Sequence, residues 1–148
     1  MRAVLQRVTR ARVEVEGRIV SEIGRGVLIF LGVGVGDTDA QAEALAKKIS
    51  GLRIFDDPDG RMNLALEAVG GGYLVVSQFT LYGDLSKGKR PGFEAAMRPP
   101  ESERLYLLFC DRLAALSGRP VLRGEFGAMM RVELVNDGPA TFVVEQNS

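Results

Sequence analysis

The chain contains no histidine. That absence removes the side chain that most often moves protons near neutral pH. It excludes a Ser-His-Asp triad and a Cys-His pair. A Cys/His zinc site is excluded with them, because Cys110 is the only cysteine and there is no histidine. A lone cysteine cannot form an internal disulfide, which implies a reduced, cytoplasmic protein. Long apolar runs are missing as well. The longest, Gly26 to Val35, carries three glycines and falls far short of the roughly 20 residues that span a bilayer. Met1 to Arg7 lacks the apolar core of a signal peptide, so no membrane partner is expected. No clustered Asp/Glu pattern marks a magnesium or calcium site. Neither a metal nor a cofactor is expected.

An excess of one charge sign is absent too, with 19 basic and 19 acidic residues. The distribution is uneven. Residues 1–30 hold six Arg against three Glu, and residues 86–98 hold Lys87, Lys89, Arg90 and Arg98 against Glu94. Such patches are either solvated faces or grips for a few phosphates.

What is present is an ordinary globular composition over 148 residues, 46% hydrophobic and 26% charged. This fits one domain, 1–148, with a core of its own. Residues 2–15 read as a strand, with alternation at Arg12-Val13-Glu14-Val15-Glu16. Glu16-Gly17 predicts a hairpin turn into Arg18-Ile19-Val20. Gly26 to Val33 reads as a more buried strand. Thr38 with Gln41 forms a capping box, after which Ala42, Leu45, Ala46, Ile49 and Leu52 recur at helical spacing. Asp57-Pro58-Asp59-Gly60 is a turn. Tyr73 to Leu81 reads as another strand, and 84–99 as a basic loop. Pro100 opens a second helix, with Leu105, Leu108, Phe109, Leu113 and Leu116 on one face and Gly118 at its end. Cys110 lies beside that face and reads as a packing residue. Ala128 to Val135 and Thr141 to Glu145 read as strands flanking Asn136-Asp137-Gly138-Pro139. The expected fold is α+β: a β-rich, barrel-like single domain with two helices and at least six strands.

Two phosphate-loop lookalikes fail. In "LGVGVGD" (31–37) the third glycine falls one place early for G-x-G-x-x-G. In "GDLSKGKR" (83–90) Arg90 stands where a magnesium-binding Ser or Thr belongs. "SQFTL" (77–81) places Ser77 and Thr80, two hydroxyls, beside Gln78, a possible oxyanion donor. "NDGPAT" (136–141) holds Gly138-Pro139. Its ordinary reading is a turn with a trans bond, since cis X-Pro bonds are only about 5–6% in folded proteins. A cis bond would turn adjacent carbonyls the same way, a rigid acceptor for an ammonium group.

Taken in order, "QRVTRA" (6–11), "EIGRGVLIFLGV" (22–33), "RIFDDPDGRMN" (53–63), "SQFTL" (77–81), "KGKRPGF" (87–93), "GEFGAMM" (124–130) and "NDGPAT" (136–141) resemble the D-aminoacyl-tRNA deacylases. The family usually has Val at the position of Ala140 and commonly Ala at that of Gly83. The resemblance implies a homodimer that hydrolyses the ester between a D-amino acid and the terminal adenosine of tRNA. It also implies removal of glycine, including glycine mischarged on tRNA-Ala. By the same resemblance the site lies at the dimer interface. Gly138 and Pro139 form a cis pair that projects into the other subunit's pocket. Ser77, Gln78, Phe79, Thr80 and Leu81 form the facing wall, and Phe126 and Met130 border it near the adenosine. Arg7, Lys87, Lys89 and Arg90 are expected at the tRNA acceptor end.

A threonine hydroxyl needs an activating base, and none is fixed in sequence beside Thr80. Asp84 is nearest and reads as a surface or capping residue. The terminal ribose carries a free 2′-hydroxyl next to the ester. The preferred expectation is that this hydroxyl assists an attacking water while N–H groups at Phe79 and Thr80 stabilise the oxyanion. The competing expectation makes Thr80 the nucleophile. Alternatives at the level of function are a related deacylase with a trans Gly-Pro that accepts small L-residues, a nucleic-acid-binding module, and a structural dimerisation domain.

Overall fold

Two hydrophobic clusters organise the molecule, one on each side of a strongly curved sheet. The computed structural model describes residues 1–147. The strands are β1 (Arg2–Val15), β2 (Arg18–Ile23), β3 (Gly26–Gly32), β4 (Phe55–Asp56), β5 (Met62–Leu64), β6 (Gly72–Ser77), β7 (Val121–Arg123) and β8 (Arg131–Glu145). The helices are α1 (Asp39–Ser50), α2 (Leu66–Val69) and α3 (Glu101–Ser117). The main sheet runs β2-β1-β3-β6-β7, with β8 on the other edge of β1. β3, β6 and β7 are mutually parallel, and β1 is antiparallel to β2, β3 and β8. Ser21 of β2 donates to the Arg123 carbonyl of β7 at 2.7 Å, so the two ends of the sheet approach and nearly close a barrel.

The period-2 pattern explains the layers. Val27, Ile29, Leu31, Tyr73 and Val75 face α1 and α3, while Leu28, Leu74 and Val76 face the barrel interior with Val13, Val15 and Ile23. Strands covered on both faces are continuous apolar runs. β3 approaches β6 closely at one point: a β-carbon at Gly26 would sit 1.9 Å from the Gly72 carbonyl oxygen. The predicted Thr38–Gln41 capping box is present, and Gly118 ends α3 with φ 66°. Glu16 and Gly17 both take positive φ in the hairpin turn. Burial pushes the Cys110 thiol up to about 12, in line with a packing role.

The structure corrects three expectations. The described residues form three helices rather than two. α2 is a single turn anchored by buried Leu66 and stopped by Gly70 at φ 79°, too short to leave a periodic pattern. The strand expected over Tyr73–Leu81 ends at Ser77, and Phe79–Tyr82 coil into a 3-10 turn. The expected strand-turn-strand around Gly138-Pro139 is one long strand, β8, interrupted by a bulge. Gln6 pairs with Thr141 and Val8 with Asn136, so four residues, 137–140, stand opposite Arg7 alone.

Candidate active site

The carboxyl ends of the parallel strands β3, β6 and β7 share one edge of the sheet. The Gln78 N–H makes the last ladder bond, to the Leu31 carbonyl at 2.8 Å. Beyond it the chain turns, leaving Phe79 and Thr80 exposed. Leu81 donates to the Gln78 carbonyl at 3.3 Å and Gly83 to the Thr80 carbonyl at 2.9 Å. The N–H groups of Phe79 and Thr80 open this turn, where i→i+3 bonding leaves the first donors free. Neither has an acceptor among the described residues. β7 exits at the same edge, with the Gly124 N–H on the Val75 carbonyl at 3.1 Å. Phe126 then packs on Tyr106, ring centroids 5.7 Å apart. Together with Val20, Ser21, Leu107 and Arg123, Phe126 lines a groove of about 450 Å³. Met130 turns inward against the barrel cluster.

The side-chain chemistry of the turn is simple. The Gln78 amide donates to the Thr80 hydroxyl. An amide is no base, so this bond orients Thr80 without activating it. Asp84 is occupied as an Asx turn, accepting from the Ser86 N–H at 2.9 Å and the Ser86 hydroxyl at 2.6 Å. The Ser86 hydroxyl bond, then the Ser86 backbone bond, holds its carboxyl below the usual range. Asp84 is a loop-capping residue, as the sequence predicts.

Gly138 and Pro139 lie elsewhere on the sheet. Their bulge faces Arg7, in the ladder row of Val27 and Tyr73, whereas Ser77 is in the row of Leu31, Ala3 and Val144. Following the sheet, the two segments are separated by three strand spacings of about 4.8 Å and four residues of about 3.3 Å. Within one chain the two segments therefore lie in different ladder rows, on strands that are not neighbours. The Gly138–Pro139 bond is cis, as is Pro99–Pro100, and both Gly138 and Pro139 are exposed.

Arg7 departs from its expected place at a phosphate. It is 4% exposed and holds the bulge from beneath. Its Nε donates to the Asp137 carbonyl at 3.2 Å and Nη2 to the Gly138 carbonyl at 3.4 Å, while Nη1 donates to the Ile54 carbonyl at 2.8 Å and to Asp56 at 3.3 Å. Its guanidinium is committed inside the protein. Arg7→Met should lower unfolding stability by about 2–4 kcal/mol, because the buried Ile54 carbonyl and the Asp137 and Gly138 carbonyls of the bulge lose a charged donor at once. Urea unfolding followed by circular dichroism measures this. The loop cations differ: Lys87, Lys89 and Arg90 are all exposed, on a hairpin closed by Asp84 and Gly92.

The model of the family described as D-Tyr-tRNA(Tyr) deacylase matches residues 4–145. The chain belongs to the D-aminoacyl-tRNA deacylase family. Relatives named D-aminoacyl-tRNA deacylase include one from Koribacter versatilis, 55% identical over 145 residues, covering 98% of this chain and 97% of that protein. Another, from Geobacter sulfurreducens, is 53% identical over 148 residues, covering 100% and 97%. Among solved structures, one titled "c-Myc DNA Unwinding Element Binding Protein" matches with a TM-score of 0.92 and 38% identity, covering all of both chains. A structure of a probable eukaryotic D-amino acid tRNA deacylase shares the fold, with a TM-score of 0.80 at 20% identity over 97% of this chain and 98% of that one. The deacylase is therefore an ester hydrolase acting on aminoacyl-tRNA. Among the described residues no helix is long and apolar enough to cross a membrane.

Proposed function

We propose that this deacylase is a cytoplasmic editing enzyme whose site is completed by a second copy of the chain. In this reading the Phe79–Thr80 turn of one protomer faces the Gly138–Pro139 bulge of its partner. The backbone carbonyls of the bulge hold the α-ammonium of the aminoacyl group. A D-residue then turns its α-hydrogen to the rigid backbone, and an L-residue would push its β-carbon into it. Glycine has no β-carbon and is accepted, so glycine mischarged on tRNA-Ala is also cleared. This is editing after transfer, a second filter on a product the synthetase released. Phe126 borders the adenosine, and Lys87, Lys89 and Arg90 meet the acceptor-end phosphates.

The observation that carries the reading is the pair of free N–H groups at Phe79 and Thr80, beside a hydroxyl with no base. Such a site stabilises an oxyanion and leaves activation of water to another group. The ribose 2′-hydroxyl next to the ester is that group, and the protein orients and excludes. Thr80→Ala should keep the rate within about threefold on ordinary tRNA, whereas 2′-deoxy-terminated tRNA should lose about 100-fold or more. A deoxy substrate turned over at the ordinary rate would remove the 2′-hydroxyl scheme, and a dead Thr80→Ala would restore threonine as nucleophile.

The function itself is tested by glycyl-tRNA against L-alanyl-tRNA, which differ by one methyl group. Glycine should be cleared and L-alanine spared. Equal clearance would instead describe a deacylase tolerant of small L-residues. A second reading, nucleic-acid binding without chemistry, draws on the name of one solved relative and on the exposed Lys87–Arg90 loop. It predicts salt-sensitive tRNA binding with no ester hydrolysis.

A further inference from the structure

The glycines of "LGVGVGD", which fit no phosphate loop, have another use. A β-carbon at Gly34 would come within 2.6 Å of the Tyr82 ring, and one at Gly32 would lie 3.1 Å from Tyr82, Leu81 and the Gln78 carbonyl. The two bare positions at the end of β3 let the last residue of the 3-10 turn lie flat against the backbone. The Gly34 N–H is itself held by Asp37 at 2.7 Å, which fixes the floor of this seat. Arg2, at the start of β1, closes it. Its guanidinium stacks 4.5 Å from the Tyr82 ring centroid, and Nη1 donates to the Leu81 carbonyl at 2.7 Å. Arg2 Nε lies 2.8 Å from Glu145, an ion pair too far off line for a hydrogen bond. Burial, then the Asp37 charge, pushes the Tyr82 phenol up to about 12, so the ring stays neutral under the cation at neutral pH.

We infer that Arg2, Tyr82 and the Gly32–Gly34 seat form a latch that positions the Phe79 and Thr80 N–H groups for the reaction. The inference rests on the reading of those N–H groups as the oxyanion site. The physical need is plain. A four-residue 3-10 turn holds itself with few, poorly aligned bonds, and its first two residues are exposed. Upstream it is tied by the Gln78 ladder bond. Downstream, Arg2 on Leu81 and the seated Tyr82 ring pin it. Oxyanion donors act only when held to within a fraction of an ångström. Arg2 acts through the turn and not on the substrate; it is a positioning residue.

The test uses the full-length protein and D-tyrosyl-tRNA. Arg2→Ala should lower kcat about 10–30-fold with KM within about twofold, because a transition-state contact is lost and ground-state binding is kept. Arg2→Lys, which keeps the charge and a donor for Leu81, should recover kcat to within about threefold of wild type. Gly34→Ala, which unseats Tyr82, should match Arg2→Ala, and the double variant should be little worse than either, since both break one device. Circular dichroism confirms folding, and Arg2→Ala alone decides if Gly34→Ala does not fold. A folded Arg2→Ala with kcat within twofold of wild type overturns the latch, as does a loss confined to KM or a multiplicative double variant. Phe79→Pro, read against Phe79→Ala, separates the levels. If removing that N–H costs kcat and Arg2→Ala does not, the latch alone fails. If removing it costs nothing, the oxyanion reading fails and takes the latch with it.

Discussion

Phe79→Pro is expected to lower kcat about 10²–10³-fold below Phe79→Ala, the loss typical of one oxyanion donor. The two variants share the loss of the aromatic ring and differ mainly in the backbone N–H. Phe79 is the first residue of the 3-10 turn, where proline's fixed φ near −65° suits the backbone. The preceding Gln78 has φ −143° and ψ 84°, outside the helical region that a following proline disfavours. The Phe79 N–H bonds to no other group among the described residues, so its removal costs the fold little. The loss should fall on kcat with KM nearly unchanged, since the charge it meets develops only in the transition state. Single-turnover deacylation of D-tyrosyl-tRNA by the two variants measures it. Equal kcat values would remove the oxyanion from this turn.

The second large effect is restoration of activity by mixing two dead variants. A β-carbon at Gly138 would meet only the Asn136 amide, at 3.6 Å, and the φ there is not left-handed. Gly138→Val should therefore fold normally, yet place a branched side chain where the partner's pocket receives the bulge. Its activity should fall about 100-fold or more. Phe79→Pro disables the facing wall instead. In a heterodimer of the two, one site receives both lesions and the other neither. Random exchange of protomers should then return about a quarter of the wild-type sites. A mixture no more active than its parents would show that wall and bulge do not meet between copies.

Local chemistry made much of the fold legible. The Thr38–Gln41 capping box, the Glu16-Gly17 turn and the Gly118 stop each depend on neighbours within a few residues, and each is where the sequence placed it. The end of β6 was not legible. Phe79 and Leu81 continue the apolar period of the strand, and the break after Gln78 depends on Arg2 and on Tyr82 seated against Gly32 and Gly34. Contacts spanning some 45 to 80 residues leave no local pattern. Arg7 misled for a similar reason. An arginine in an alternating strand reads as solvated, and its partners at Ile54, Asp137 and Gly138 come from distant segments. One signal was available: the bulge opposite Arg7 contains Gly-Pro, which cannot continue a ladder regularly. The candidate site was legible as segments and not as an assembly, because SQFTL and NDGPAT sit on separate regions of one sheet.

In the proposed function the deacylase separates mirror-image aminoacyl groups by backbone exclusion. D-tyrosyl-tRNA and L-tyrosyl-tRNA, matched in tRNA and concentration, test it directly. D-tyrosine should be released rapidly, with L-tyrosyl-tRNA surviving at the spontaneous rate. Hydrolysis of both at equal rates would contradict it.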